Sequence, residues 1–129
     1  MSTLGVLLVI ASLLWGGFPQ GSVPRGPIES VLSRALERTA SHNLEVARFY
    51  IKKQKWVAAR GRLQDIVKDY PEFSRIDEVY YLLGEVYRST DDRELAIELY
   101  SRLVEGFPQS GFSGRARDRL RALGVREKG

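Results

Sequence analysis

His42 is the only histidine of the 129 residues, and Glu45 follows three positions later. On a helix these two side chains share a face. An imidazole beside a carboxylate is the smallest kit for proton transfer, or for half of a metal site. A closed zinc site needs four ligands, and the chain has no cysteine and no second histidine to supply them. His42 is therefore read as a structural or capping residue. Asp91 and Asp92 form a second carboxylate pair. They stand at a predicted helix start, where capping and the helix dipole account for acidic residues. Lack of cysteine excludes disulfides, thiolate metal sites and a thiol nucleophile. No phosphate-cradling glycine loop or dinucleotide fingerprint is present. The expectation is a protein that is not an enzyme and takes no metal or cofactor.

A different chemistry is written at the C-terminal end, where Arg115, Arg117, Arg119 and Arg121 alternate with other residues. Such a series can meet the phosphates of nucleic acid or of anionic lipid. It equally suits the solvated face of an end helix. No aromatic residue is interleaved with these arginines, which counts against stacking on single strands, so nucleic acid is not an expected partner. The whole net charge of +4 comes from this segment. Up to residue 112 basic and acidic residues balance. Beyond it Arg115, Arg117, Arg119, Arg121, Arg126 and Lys128 face only Asp118 and Glu127.

The elements that carry these residues begin with an apolar leader. Leu4 to Trp15 is interrupted by Ser12 alone, and Gly, Pro, Ser and Gln take over from Gly16 to Pro27. The run has the length of a signal-peptide core and is short for a membrane span. It is read as an export signal or signal-anchor. A buried N-terminal helix, or a chain cut from a longer protein, are the alternatives.

The rest repeats itself. With Ala47 set on Gly84, a shift of 37, Val46 meets Leu83, Tyr50 meets Tyr87, Ala59 meets Ala96, Leu63 meets Tyr100 and Ile66 meets Leu103. Tyr70-Pro71 meets Phe107-Pro108. Large–small pair, aromatic, small residue beyond a turn, aromatic and closing proline form the skeleton of a tetratricopeptide repeat. Each column has a physical reason. Small residues let paired helices approach, aromatics fill the space between them, and proline ends the second helix. Trp56, Ala59, Leu63, Ile66, Val67 and Tyr70 lie on one helical stripe, and Ala96, Tyr100, Leu103, Val104 and Phe107 on another. Ser74 with Asp77, and Asp91 with Glu94, resemble capping boxes. Phe112, Ala116, Leu120 and Leu123 form one face of an end helix stopped by Gly124. Upstream, Ile28, Val31, Leu32, Ala35 and Leu36 stripe a helix from about Pro27. It either continues unbroken through His42 or breaks near Ala40, where Thr39, Ser41 and Asn43 weaken it.

The predicted architecture is thus all-α: about two tetratricopeptide-like antiparallel hairpins and a C-terminal capping helix, behind a hydrophobic N-terminal segment. The predicted boundaries are 1–26 for leader and linker, 27–124 for the helical domain and 125–129 for a basic tail. Arrays of this kind bind on the concave face lined by their first helices. The register puts Leu44, Arg48, Ile51 and Lys52 there from the first repeat, and Tyr81, Glu85 and Arg88 from the second. Leu44 and Ile51 suit a core equally well. Repeat arrays usually need about three units to bury enough surface, so stabilisation by a partner or by self-association is expected.

One resemblance is narrower than the repeat. His42, Val46-Ala47-Arg48-Phe49-Tyr50, Lys52-Lys53, Trp56, Ala58-Ala59, Arg62 and Tyr70-Pro71 resemble the C-terminal half of the BamD family. The likeness continues through "DEVYYLLGEVY" and "FPQSGFSGRARDRL". That family is the tetratricopeptide lipoprotein of the outer-membrane β-barrel assembly machinery. The resemblance implies a periplasmic or envelope-associated scaffold near a membrane, with assembly-machinery subunits as protein partners. A general adaptor of another envelope system, and a binder of anionic lipid or nucleic acid through the Arg-rich helix, are the alternatives. The family is anchored through a lipidated cysteine, so lipid anchoring is not expected of these cysteine-free residues.

Overall fold

The computed structural model of the chain describes residues 26–126. Residues 1–25 of the expected leader and linker, and 127–129 of the expected tail, lie outside the described residues. Five helices follow one another: α1 (Pro27–Lys52), α2 (Trp56–Asp69), α3 (Ile76–Ser89), α4 (Arg93–Gly106) and α5 (Ser113–Ala122). The described residues contain no strand. This is the all-α, tetratricopeptide-like architecture expected, with α1–α2 and α3–α4 as hairpins and α5 as the capping helix.

A boundary between two units falls between Leu32 and Ser33. Residues 26–32 are the described part of the first unit. Pro27 opens the helix there, where its missing N–H costs nothing. Ser30 Oγ donates to the Pro27 carbonyl at 2.9 Å, and Ile28, Val31 and Leu32 are exposed. α1 itself is a single helix of 26 residues, so the alternative break near Ala40 does not occur. The residues that weaken it are tied up elsewhere. Thr39 Oγ1 donates back to the Ala35 carbonyl at 3.0 Å, and the Asn43 side chain accepts from Arg62 at 3.1 Å. Thr39 thus bonds within the helix, to the carbonyl one turn back, and Asn43 bonds across to the next helix, so both side chains are satisfied with the helix intact.

The shift of 37 seen in the residues is also present in the backbone. Gln54 N–H donates to Ile51 and Lys55 N–H to Tyr50; 37 residues on, Asp91 donates to Arg88 and Asp92 to Tyr87. α5 ends in the same way, with Gly124 donating to Arg121 and Val125 to Leu120. Each turn needs one left-handed residue: Gln54 (φ 58°), Asp91 (φ 60°) and Gly124 (φ 85°). The capping helix therefore closes as the two first helices do. The joints between second and first helices repeat too. Phe73 donates to Tyr70 and Ile76 to Phe73, as Ser110 donates to Phe107 and Ser113 to Ser110. Pro71 and Pro108 stand two residues after α2 and α4 stop.

These turns overrule the expected capping boxes. The caps of α3 and α4 are Arg75 and Asp92, neither with a side-chain cap bond. The inter-repeat turn already gives the first amide of α3 a carbonyl partner. Ser74 binds elsewhere, and its backbone N–H and hydroxyl both donate to the Glu37 carboxylate on α1. Asp77 instead accepts from Ser110 Oγ at 2.6 Å. Asp91 is spent on the left-handed turn.

Packing follows the repeat columns. Ala47, Ala59 and Ala96 are wholly buried, as are Leu63, Ile66, Tyr100 and Leu103. Trp56, Val67, Tyr70, Val104 and Phe107 pack around their edge, while Ala116 and Leu120 bring α5 into the same core. Each fully buried Leu or Ile contributes roughly 1.5–3 kcal/mol. Gly84 is the tightest point. A Cβ built there would lie 2.6 Å from Tyr100 Cε1. Among the described residues, no helix is long and apolar enough to cross a membrane.

Candidate partner-binding face

The first helices α1 and α3, with α5 after them, supply the face on which the seven expected binding residues were placed. The structure divides those seven. Leu44 is fully buried and Tyr81 nearly so, and both belong to the core. Tyr81 lies between Tyr100 and Phe112, with ring centres 6.1 and 5.4 Å away. Ile51 packs half-buried against the core. Helix geometry explains this: on a repeat stacked from both sides the buried stripe is wide, and the neighbouring helix covers residues near its edge.

The other four, Arg48, Lys52, Glu85 and Arg88, carry charge, and three of them enter two ionic clusters. In the first, Arg48 donates Nη1 to Glu45 Oε1 at 3.1 Å and Nη2 to Glu78 Oε1 across the α1–α3 boundary. Arg75 grips the other oxygen of Glu78 through Nε at 3.1 Å and Nη2 at 3.0 Å. Glu78 is buried, and two guanidiniums compensate the cost of removing its charge from water. Lys52 is exposed in the last turn of α1, where a cation suits the helix dipole.

The second cluster centres on Glu85. It accepts from Arg88 Nη2 at 3.0 Å and from Tyr100 Oη at 2.5 Å. Arg119 of α5 adds Nε at 2.8 Å and Nη2 at 3.2 Å. Burial pushes the Glu85 carboxyl up, but the bonds from Arg88, Tyr100 and Arg119 outweigh it and hold the group below its ordinary value. Burial, then the hydrogen bond to Glu85 and that group's charge, drive the Tyr100 phenol above the usual range, so it stays a neutral donor. His42 lies exposed in mid-α1 and caps no helix end. Among the described residues, no three His, Cys, Asp or Glu stand together to hold a metal.

Sequence reasoning missed Glu78, Arg75, Tyr100 and Arg119 as members of these two clusters. A partial signal existed: Arg75–Glu78 and Glu85–Arg88 each have the i,i+3 spacing of a helical ion pair. The cross-helix partners Arg48 and Arg119 had no such signal.

Residues 18–91 match the family model described as outer membrane lipoprotein, and residues 78–110 match a tetratricopeptide-repeat model. The first match covers more than half of the chain. The chain belongs to the outer membrane lipoprotein family. The outer membrane protein assembly factor BamD of Haemophilus influenzae is 40% identical over 48 residues, covering 37% of this chain and 18% of that protein. The factor of the same name from Neisseria meningitidis serogroup B is 28% identical over 79 residues, covering 61% of this chain and 30% of that protein. That of Neisseria gonorrhoeae is 27% identical over the same length. The chain therefore matches less than a third of the length of these curated relatives. No solved structure matches it significantly.

Proposed function

We propose that the chain is a non-enzymatic scaffold of the cell envelope, serving the assembly of outer-membrane β-barrel proteins by docking other assembly subunits on its first-helix face. The observation that carries this reading is the family match over 18–91, which contains the whole of α1, α2 and α3. The relatives are assembly factors by name. The face itself suits protein recognition. It is ordered by the Glu78 and Glu85 clusters, and it presents half-exposed arginines and exposed Lys52. Arginine is a side chain that protein interfaces favour.

A general adaptor role in another envelope system would use the same face with other partners. The reading of the Arg-rich helix as a lipid or nucleic-acid binder has less support. Its arginines do not form one continuous row of cations: Arg119 turns to Glu85 on α3, Arg121 pairs with Asp118 at 3.1 Å, and no aromatic ring is interleaved with them for stacking. The test is mild cross-linking of the tagged full chain in its native envelope, followed by mass spectrometry. β-Barrel assembly subunits are the expected products. Recovery of unrelated envelope proteins alone would leave a scaffold and remove the assembly role.

A further inference from the structure

The two ionic clusters differ in their charge balance. Around Glu78, two carboxylates (Glu45 and Glu78) meet two guanidiniums (Arg48 and Arg75). Around Glu85, one carboxylate meets two guanidiniums, Arg88 and Arg119. A carboxylate offers about four lone-pair sites. The bonds from Arg88, Tyr100 and the two from Arg119 fill that number. Glu85 can therefore orient both arginines but neutralise only one. Exposure divides the same way: the Glu85 side chain is 18% exposed, while those of Arg88 and Arg119 are 39% and 40% exposed. The anion lies beneath and the cations face solvent.

A third cation adjoins them. Arg115 sits one helical turn before Arg119 on α5, its guanidinium 5.8 Å from the centre of the Phe112 ring. Phe112 in turn packs on Tyr81. Three arginines thus border the Tyr81–Phe112 ring pair, with Glu85 beneath them and Asp77 turned to Ser110 Oγ at 2.6 Å, on side chains already held in place by hydrogen bonds or ring contact.

We propose that Arg88, Arg115 and Arg119 form a carboxylate-binding site that receives an acidic segment of a partner protein. The site rests on the scaffold reading above and names the chemistry of what that scaffold takes. Guanidinium groups recognise carboxylates through paired N–H bonds, and pre-orientation lowers the entropy lost on binding. An acidic protein segment fits better than a nucleic acid. The excess charge is confined to one end of the face, and Glu45 and Glu78 beside it oppose a continuous row of phosphates. Tyr81 is buried, so it offers no open ring for base stacking.

The site predicts substitutions of opposite sign. Binding of a blocked, fluorescent hexaglutamate peptide to the full chain is measured by anisotropy at low salt, with hexalysine as control. Thermal melting of each variant checks folding. Arg115→Gln and Arg119→Gln each weaken binding by about threefold or more, the weight of a half-exposed charge. Glu85→Gln tightens it, because both guanidiniums are then uncompensated. Arg115 has no part in the Glu85 bonds, so its variant tests the site without disturbing them.

Three unchanged affinities would overturn the site and leave Glu85–Arg119 as a structural tie. So would displacement of the peptide by a single-stranded oligonucleotide at lower concentration than by hexaglutamate itself. The peptide measurement does not depend on the partner's identity. A silent titration beside successful cross-linking to assembly subunits therefore overturns the site alone. The reverse result supports the site and overturns the assembly role.

Discussion

Gly84 and Tyr100 show most directly how single residues hold this array together. The glycine lets α4 approach α3, and the Tyr100 ring occupies the place of the missing side chain. That ring cannot retreat, because it is fully buried and its hydroxyl is tied to Glu85. Gly84→Ala should cost about 1–3 kcal/mol as overpacking. In a domain of this size each kcal/mol lowers the melting temperature by several degrees, so a thermal melt reads the effect. An unchanged melting temperature would mean that the helices do not meet there. Glu85 gives a second prediction. Its carboxyl is depressed in the folded chain, so its bonds stabilise above the unfolded-state value. That contribution is lost as pH falls through the lowered folded value. Melting temperature should therefore drop on acidification across that window, and Glu85→Gln should remove part of the slope. Equal slopes in both proteins would contradict the cluster. At this scale the repeat columns were legible, because small and aromatic residues at a fixed shift leave few packings open. The pairing of Arg48 with Glu78 and of Arg119 with Glu85 was not. These partners are 30 and 34 residues apart, and only the crossing of helices decides that they meet.

Helix ends carry the next level. Two first-helix ends and the end of the capping helix close on a left-handed residue, and only the last is glycine. A left-handed conformation costs a side-chain-bearing residue roughly 1–2 kcal/mol, less for Asp, which tolerates it. Gln54→Gly should therefore stabilise the chain by about 0.5 kcal/mol after the added freedom of the unfolded glycine is subtracted. Asp91→Gly should gain less. Denaturant midpoints of the two variants check the order, and a loss in both would mean that the turns are not left-handed. Gly124 could be read from sequence as a stop, whereas nothing in Gln54 announced the same geometry. The capping boxes failed for a related reason. Ser-x-x-Asp is a local signature, and here the inter-repeat turn supplies the amide's partner through the backbone and releases Ser74 to Glu37. The continuity of α1 was only half legible, since its weak residues Thr39 and Asn43 find their partners only once the helix and its neighbour are in place.

At the scale of the whole array, the two hairpins and the capping helix carry exposed apolar side chains among the described residues. In the second unit Leu36, Phe49 and Val57 are 54%, 55% and 72% exposed. Arrays of this kind usually need about three repeats, so the isolated chain should be only marginally stable and should gain from a partner or from a second copy. A melting temperature that rises with protein concentration, or with added partner, is the expected result. A concentration-independent melt above about 70 °C would contradict it, since mesophile domains usually melt lower. Fold class was legible at this scale because the 37-residue period constrains the whole array. Which expected binding residues face outward was not. Leu44 and Tyr81 carry the right register for the face, yet the stripe that packs is wide enough to bury both.

The central claim is that the first-helix face docks assembly subunits. Its most direct test places a photo-cross-linking residue at Lys52 on α1, and in a second chain at Lys68 on α2, both exposed. Each chain is illuminated in the native envelope. β-Barrel assembly subunits attached through position 52 and not through 68 are the predicted result. Products through 68 alone, or products through 52 that include no assembly subunit, would contradict it.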